Sequence, residues 1–354
     1  ERHPNRARRR AALMAVLRFD HPQIDDFIQA KADPHHDPFP HFTFSVSIDD
    51  ATMRRLHDPA SFGDPLLIQE RQRWHRLSQA VWRSGEPGLL FIDAVRRDDN
   101  LGLSESLSAT NPCGEQPLPD HGACALASID LTRVVQGPLT PSAHVAWGQL
   151  NALAQVGVRL LDNALDLSTW PLPEQARLQR AQRRMGLGLT GLADALALLG
   201  LRYGSPPALR TTANIGRFLS HAAYRASVRL ARERGPAPAV AADAVLSGSH
   251  RASRLPSPLR QAIRRHGLRN AHLLAVAPTA SISMAFADAV SPGVEPVTAW
   301  TACRHWRDPQ GLPWGAILLD PVWRRWARMH GLRAPWPSFM AAGRQVTPEH
   351  QLAT

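Results

Sequence analysis

Six consecutive residues carry side chains that could do chemistry together: Asn111-Pro112-Cys113-Gly114-Glu115-Gln116. An amide stands two residues before a thiol, and a carboxylate stands two residues after it. In an extended or looped backbone, positions i and i+2 can face the same side. Amide, thiol and carboxylate could then converge on one ligand, with Pro112 and Gly114 shaping the turn between them. A thiol can act as a nucleophile or as a hydrogen-atom donor. A carboxylate can serve as a general base, and an amide can orient a hydroxyl. A cysteine beside a glutamate is also common as a plain structural pair, so these residue types alone leave both readings open. The other cysteines are Cys124 and Cys303. Three cysteines without zinc-finger spacing argue against a disulfide scaffold and against a structural metal site.

These residues need elements to hold them. Residues 103–123 are dense in Ser, Pro and Gly and read as an ordered loop. Upstream, the apolar run 11–19 fits a buried strand, Ile24–Ala30 a short helix, 31–41 a proline-rich loop and Phe42–Ile48 a strand. Gln69–Trp82 has helical spacing and Leu89–Ile92 is a short strand. Downstream, His144–Leu165 and Ile215–Arg232 read as helices. Gly186–Leu199 is expected to be a further, tightly packed helix, its glycines admitting a close neighbour. A dinucleotide-binding reading of Gly186, Gly188 and Gly191 is set aside, because no acid-ended βαβ unit surrounds them. Residues 235–257 are expected to form an exposed connection. His272–Ala277 is an apolar strand followed by a turn of small hydroxyl residues at Pro278–Ser283, and His272 is expected to be a satisfied core residue. Alternating helices and short buried strands predict an α/β architecture.

The net charge is +11 with 41 Lys and Arg, and Lys31 is the only lysine. The excess favours anionic partners such as phosphates and nucleotides. Arginine clusters at 6–10, 177–184, 251–269 and 324–333 read most simply as solvated helix faces. The ten tryptophans, several near the C-terminus, are expected to pack helices rather than stack bases. No run of eighteen apolar residues exists, so no membrane span is expected. The polar first residues lack the apolar stretch of a secretory signal. A cytoplasmic protein is expected, with no membrane and no nucleic-acid partner.

The stretch Ala109–Leu131, ATNPCGEQPLPDHGACALASIDL, closely resembles the active-site segment of ribonucleotide reductase large subunits, which reads NPCGEQPL or NPCGEIPL before a second Cys and a pattern like NLGSINL. Cys124 follows Cys113 by eleven residues, as in the adenosylcobalamin-dependent branch. The resemblance continues in Arg9–Lys31, in FTFSVSIDDATM (42–53) and in GEPGLLFIDAVRRDDN (85–100). It resumes in RRMGLGLTGLADALALLGLRYGS (183–205) and RNAHLLAVAPTASISMAFADAVSPGVEP (269–296). These blocks cover most of the chain from about residue 9 to residue 300.

The resemblance implies a ribonucleotide-reductase-type α/β barrel over residues 1–354, with the catalytic cysteine on an internal loop and the barrel incomplete at both ends. It implies a thiyl radical at Cys113 that abstracts the ribose 3′ hydrogen. Glu115 would take the 3′ hydroxyl proton, and Asn111 would hold substrate hydroxyls. Cys124 would be one of two reducing thiols that end as a disulfide. Asn111 to Glu115 would line the substrate, and Pro278-Thr279-Ala280-Ser281-Ile282 would bind its phosphates through backbone N–H groups, hydroxyls and a helix N-terminus. The implied cofactor is adenosylcobalamin. Implied partners are a ribonucleoside di- or triphosphate, a thioredoxin-like or glutaredoxin-like reductant and a second copy in a homodimer.

The chain also departs from the family pattern. Ala280 and Ser281 replace the Gly and Thr of the phosphate loop, and a Cβ at 280 would crowd a phosphate if φ were positive there. Ala125 and Ala127 replace Asn and Gly, Ser291-Pro292-Gly293 replaces SSG, and Ala11 replaces a Gly. The family's partner for Cys124 would lie upstream of residue 1, and its SKT-containing segment beyond residue 354. The expectation is therefore an open barrel with exposed strand edges, and a chain that by itself turns over poorly. Two other classes stand beside the enzyme reading. One is a non-catalytic remnant that keeps the scaffold and nucleotide binding. The other is a nucleic-acid-binding protein, for which the charge argues but no motif does.

Overall fold

The computed structural model describes residues 12–33, 37–58, 65–247, 250–308 and 310–354. The basic cluster at 6–10 and the substitution at Ala11 lie outside these residues, as do positions 34–36 of the proline-rich loop. The chain forms two compact units. The first holds the described residues up to Ala123, with Leu172–Leu178 and Ala241–Leu255. The second holds Cys124–Pro171, Gln179–Val240 and Pro256–Thr354.

The first unit is built on three parallel strands in the order β1 (Leu13–Arg18), β2 (Phe42–Ile48), β3 (Gly88–Phe91). Parallel neighbours need crossovers. Here α1 (Ile24–Gln29) lies between β1 and β2, and α2 (Asp50–His57) and α3 (Pro65–Ser84) lie between β2 and β3. The middle strand β2 is buried along most of its length, which is why its sequence FTFSVSI carries apolar residues beyond strict alternation. Val46 and Ile48 pack with Phe19, Ile24, Ile28, Leu77 and Ala80 into one core. Helix α3 ends where Gly85 takes a left-handed φ of 78° and donates its N–H to Val81, a conformation that glycine adopts without a Cβ penalty. A short helix α4 (Ile92–Asp98) follows β3.

The only lysine of the chain is part of this packing. Lys31 is 5% exposed, and its ammonium contacts Asp37 at 2.7 Å, the Phe39 carbonyl at 3.0 Å and Glu86 at 3.1 Å. It also lies 5.5 Å from the centre of the Phe44 ring. Lys31→Met is expected to cost about 2 kcal/mol, the scale of lost hydrogen bonds to a charged group, because both carboxylates are partly exposed and can rehydrate. Urea unfolding of the variant checks this, and an unchanged midpoint would contradict it.

In the second unit β6 (Ala125–Asp130), which follows the short β4 (Ala109–Thr110) and β5 (Pro117–Leu118) of the first, pairs in parallel with β7 (Met185–Thr190). Helix α5 (Trp147–Leu167) connects them. The segment 272–276 joins the far side of β7 through a single parallel bridge at Leu187 and Leu274 rather than a full strand. The expected helix over 186–199 is corrected here. Residues 185–190 are a strand, and only α6 (Leu192–Leu198) is helical. The strand is almost wholly buried, so its pattern is continuous and period alone could not separate strand from helix. Gly188 allows close approach of the neighbouring segment: a Cβ there would stand 2.4 Å from the Ala275 carbonyl oxygen. Gly191, at φ 73°, then turns the chain into α6.

The long helix α7 (Pro206–Arg234) begins nine residues earlier than its apolar spacing indicates, capped by Ser205, whose hydroxyl accepts the Ala208 N–H. The stretch 235–257 is not an exposed connection. Ala237, Val240, Val245, Ala252 and Leu255 are buried, and short helical turns form at 242–245 and 251–254. Its Pro and Ser content masked an apolar residue every few positions. Further on lie α8 (Ser257–His266), α9 (Ala280–Phe286), a hairpin of β8 (Thr301–Arg307) with β9 (Pro313–Leu319), and α10 (Pro321–His330). Of the C-terminal tryptophans, Trp326 lies 5.9 Å from Phe339 and Trp300 donates to the Met340 carbonyl, whereas Trp314 and Trp336 are exposed.

One buried charge ties this unit together. Asp162 on α5 is fully buried and accepts from Arg183 at 2.8 Å, Asn270 at 3.1 Å, Arg234 at 3.2 Å and Arg269 at 3.4 Å. Four segments distant in sequence meet on this one carboxylate. The architecture is thus α/β. Among the described residues the strands form five separate sheets, none of them closed into a barrel.

Candidate active site

Cys113 sits at the tip of a hairpin in the first unit. Strands β4 and β5 pair antiparallel, Ala109 with Leu118 and Thr110 with Pro117. Inside the hairpin, Asn111 N–H donates to the Gln116 carbonyl at 3.0 Å, and Gly114 N–H donates to the Asn111 carbonyl at 2.9 Å. Asn111 to Gly114 is therefore a tight turn with Pro112 at its second position and Gly114 at φ 86°. Asn111 also uses its side chain to hold the turn, Oδ1 accepting the Gln116 N–H at 3.0 Å. Its amide NH₂ takes no part in holding the turn.

The turn exposes Cys113. Its thiol is pushed above the usual cysteine range, first by the surrounding protein mass and then by the charge of Glu115. Nucleophilic cysteines are tuned the other way, toward the thiolate. The shift is away from the thiolate, and the two options that the residue types leave open both remain. Glu115 is half-buried, and its Oε2 is buried with no hydrogen-bond partner among the described residues. Such an orphaned acceptor fits a donor supplied by a bound molecule. Glu115→Gln is expected to lower the titration midpoint of the Cys113 thiol, because it removes a negative charge that disfavours the thiolate. The pH dependence of Cys113 alkylation, followed by mass spectrometry, reads this directly, and an upward shift would contradict it.

The other site residues lie in the second unit. Cys124 is half-buried immediately before β6, its thiol 3.5 Å from the Ala125 carbonyl. The segment Pro278–Ile282 follows the opposite, C-terminal end of the same parallel ladder. The six residues of β6 span roughly 20 Å at ~3.3 Å per residue, so within this unit the structure does not bring Cys124 and Thr279 together.

The left-handed residue of the phosphate segment is Thr279, at φ 52°, and not Ala280, which is the first residue of α9. The feared crowding by the Ala280 Cβ therefore does not arise from backbone handedness. Thr279 is buried, and its hydroxyl is turned inward. It accepts the Gly293 N–H at 2.6 Å and meets the Thr190 hydroxyl at 2.8 Å. It holds the turn rather than offering a donor outward. The N–H groups of Ala280, Ser281 and Ile282 open the first turn of a helix and so lack intrahelical acceptors, and Ser281 is exposed. Thr190 and Gly293 hold the Thr279 hydroxyl, a contact that the sequence does not reveal. Both lay inside the matched blocks 183–205 and 269–296, but Thr190 was absorbed into an expected helix.

A model of the ribonucleotide reductase barrel domain matches residues 66–310. A vitamin B12-dependent ribonucleoside-diphosphate reductase of Mycobacterium tuberculosis is 36% identical over 300 residues, covering 82% of this chain and 40% of that protein. One of Thermoplasma acidophilum is 29% identical over 333 residues, covering 92% of this chain and 40% of that protein. A vitamin B12-dependent ribonucleotide reductase of Streptomyces clavuligerus is 24% identical over 342 residues, covering 82% and 36%. The chain spans about 40% of the length of the first two of these curated relatives.

Proposed function

The chain belongs to the ribonucleotide reductase barrel-domain family, and on that premise we propose that it carries the radical-bearing loop of a vitamin B12-dependent enzyme that reduces ribonucleotides to 2′-deoxyribonucleotides. The observation that carries this reading is the tip of the 109–118 hairpin, which presents the exposed Cys113 thiol two residues from a carboxylate whose Oε2 is buried with no hydrogen-bond partner among the described residues.

In this reading the Cys113 thiyl takes the ribose 3′ hydrogen and becomes a thiol. Glu115 accepts the 3′ hydroxyl proton, and the Asn111 amide holds the hydroxyls. The 2′ hydroxyl leaves as water. Two thiols, of which Cys124 is one, supply two electrons and two protons and end as a disulfide. Cys113 then returns its hydrogen to the 3′ carbon. The backbone N–H groups of 280–282 and the Ser281 hydroxyl hold the phosphates of a ribonucleoside di- or triphosphate. A thioredoxin-like or glutaredoxin-like dithiol protein restores the thiols by exchange.

Adenosylcobalamin, when bound, supplies the radical chemistry that converts the Cys113 thiol into a thiyl. The residues at the loop tip leave room for such a group: Cys113 is exposed, and a Cβ added at Gly114 would meet nothing within 4 Å. Cys113 and Gly114 are the residues it would lie against. No helix among the described residues is long and apolar enough to cross a membrane, and we place the enzyme in the cytoplasm, as a homodimer.

The test is ribonucleotide reduction, with and without adenosylcobalamin, by the chain and by the longest polypeptide its reading frame encodes. Cobalamin-dependent formation of deoxyribonucleotide by the longer polypeptide, with little or none by the chain itself, is the expected result. A folded, nucleotide-binding protein that forms none would support the non-catalytic scaffold instead.

A further inference from the structure

Four residues of the second unit form a chain of hydrogen bonds whose two ends decide its direction. The Gly293 N–H donates to the Thr279 hydroxyl at 2.6 Å, the Thr279 and Thr190 hydroxyls lie 2.8 Å apart, and the Thr190 hydroxyl reaches the Ser291 carbonyl at 3.3 Å. An N–H can only donate, a carbonyl can only accept, and each hydroxyl has one proton to give. Among the described residues the Thr279 hydroxyl meets no acceptor besides Thr190. The Thr279 proton therefore goes to Thr190, and the Thr190 proton to Ser291. Thr190, Thr279 and Ser291 are all buried, where a hydroxyl left without its partner costs the desolvation of that group.

The chain ends on backbone that needs holding. Thr279 has φ 52°, and Asp288 and Ala289, beyond the other end of α9, have φ 54° and 60°. A β-branched residue in the left-handed region is an outlier that persists only where its surroundings enforce it. The surroundings are fixed on the far side. Ser291 accepts the Gly191 N–H at 2.8 Å and donates its own N–H to Asp194 at 2.9 Å, and the Tyr203 hydroxyl donates to the Val294 carbonyl at 2.7 Å. Gly293 then packs against the start of the phosphate segment, where a Cβ on it would stand 2.8 Å from the Ala277 carbonyl oxygen. The Thr279 side chain is tied to this anchored turn through Gly293 and to the end of the buried strand β7 through Thr190.

We propose that Thr190 is a positioning residue for the substrate phosphates: by accepting the Thr279 proton it keeps Thr279 left-handed, and so sets the aim of the N–H groups of Ala280, Ser281 and Ile282. This deepens the proposed role of Pro278–Ile282 and rests on it; the hydrogen-bond chain itself does not. Thr190 touches no ligand. It acts through Thr279, and the hydroxyl is the part that acts. Serine at 190 supplies the same donor and acceptor. Valine keeps the branched shape but strands the Thr279 proton in a buried place. Glycine at 279 adopts the left-handed conformation without a Cβ penalty and removes the hydroxyl through which Thr190 works.

The experiment uses the longest polypeptide the reading frame encodes and compares wild type, Thr190→Val, Thr190→Ser and Thr279→Gly, with Thr190→Val also made in the Thr279→Gly background. Equilibrium CDP binding is read beside amide exchange of residues 279–293, referenced to β6. Thr190→Val is expected to bind CDP about tenfold more weakly, the scale of one lost hydrogen bond to a charged group. Exchange of the turn should quicken while β6 keeps its protection, and Thr190→Ser should restore both. In the Thr279→Gly background Thr190→Val should cost no further affinity, since coupled residues do not add. An unchanged turn in Thr190→Val overturns the role of Thr190, whatever CDP does. So does a Thr190→Ser protein as impaired as Thr190→Val, an equal cost of Thr190→Val in both backgrounds, or a loss of β6 protection as large as that of the turn. A turn that loosens in Thr190→Val alone while CDP affinity stays fixed supports the hydrogen-bond chain and overturns the phosphate reading of Pro278–Ile282.

Discussion

Cys113→Ala is expected to reduce deoxyribonucleotide formation to background while leaving nucleotide affinity within about twofold. The thiol is the only hydrogen-atom donor that the 109–118 hairpin presents, and neither Asn111 nor Glu115 can replace it. The hairpin should survive, because its turn is held by Asn111, Gly114 and Gln116 and not by the cysteine. Glu115→Gln should be milder, about 10² to 10⁴-fold in turnover, the usual range for loss of one general base. Assays at saturating CDP with adenosylcobalamin and a dithiol reductant separate the two, with equilibrium CDP binding as the control. Loss of binding together with turnover in Cys113→Ala would mean that the cysteine supports the fold, and the catalytic role would fall.

Asp162→Ala should cost about 3–5 kcal/mol of stability, the scale seen when one partner of a buried ion pair is removed. Arg183 is 7% exposed and Arg269 14% exposed, so neither can reach water freely once the carboxylate is gone. Arg183 also occupies the left-handed region at φ 50°, which costs of order 1–3 kcal/mol and persists only where surrounding contacts enforce it. Asp166, 2.7 Å from Arg183, is nearly half exposed and can compensate only in part. Urea unfolding measures the loss, and a change below about 1 kcal/mol would show that the arginines find other partners.

The elements closest to the chemistry were legible because their residues are unusual. The NPCGEQ turn, the β2 run and the alternation that marks an α/β chain all carry local signals. Helix α7 was recognised but shortened, because its first turns carry Pro206, Pro207 and exposed polar residues instead of an apolar stripe. The 186–199 error has a different cause. A strand buried on both faces has no alternation, and the glycines that suggest helix packing serve other ends: Gly188 admits a close neighbouring backbone and Gly191 a left-handed turn. The inward hydroxyl of Thr279 and the cluster on Asp162 were not legible at all. Each joins residues from about twenty to more than one hundred positions apart, and no local pattern reports which buried polar group meets which.

The central claim is that Cys113 carries the radical. It is tested most directly by electron paramagnetic resonance of the adenosylcobalamin-loaded, nucleotide-bound protein, frozen during turnover, with ordinary and with β-deuterated cysteine. The account predicts a sulfur-centred signal that narrows on deuteration, persists in Cys124→Ser and is absent in Cys113→Ala. A signal that survives Cys113→Ala, or that vanishes in Cys124→Ser while Cys113 is intact, would contradict it.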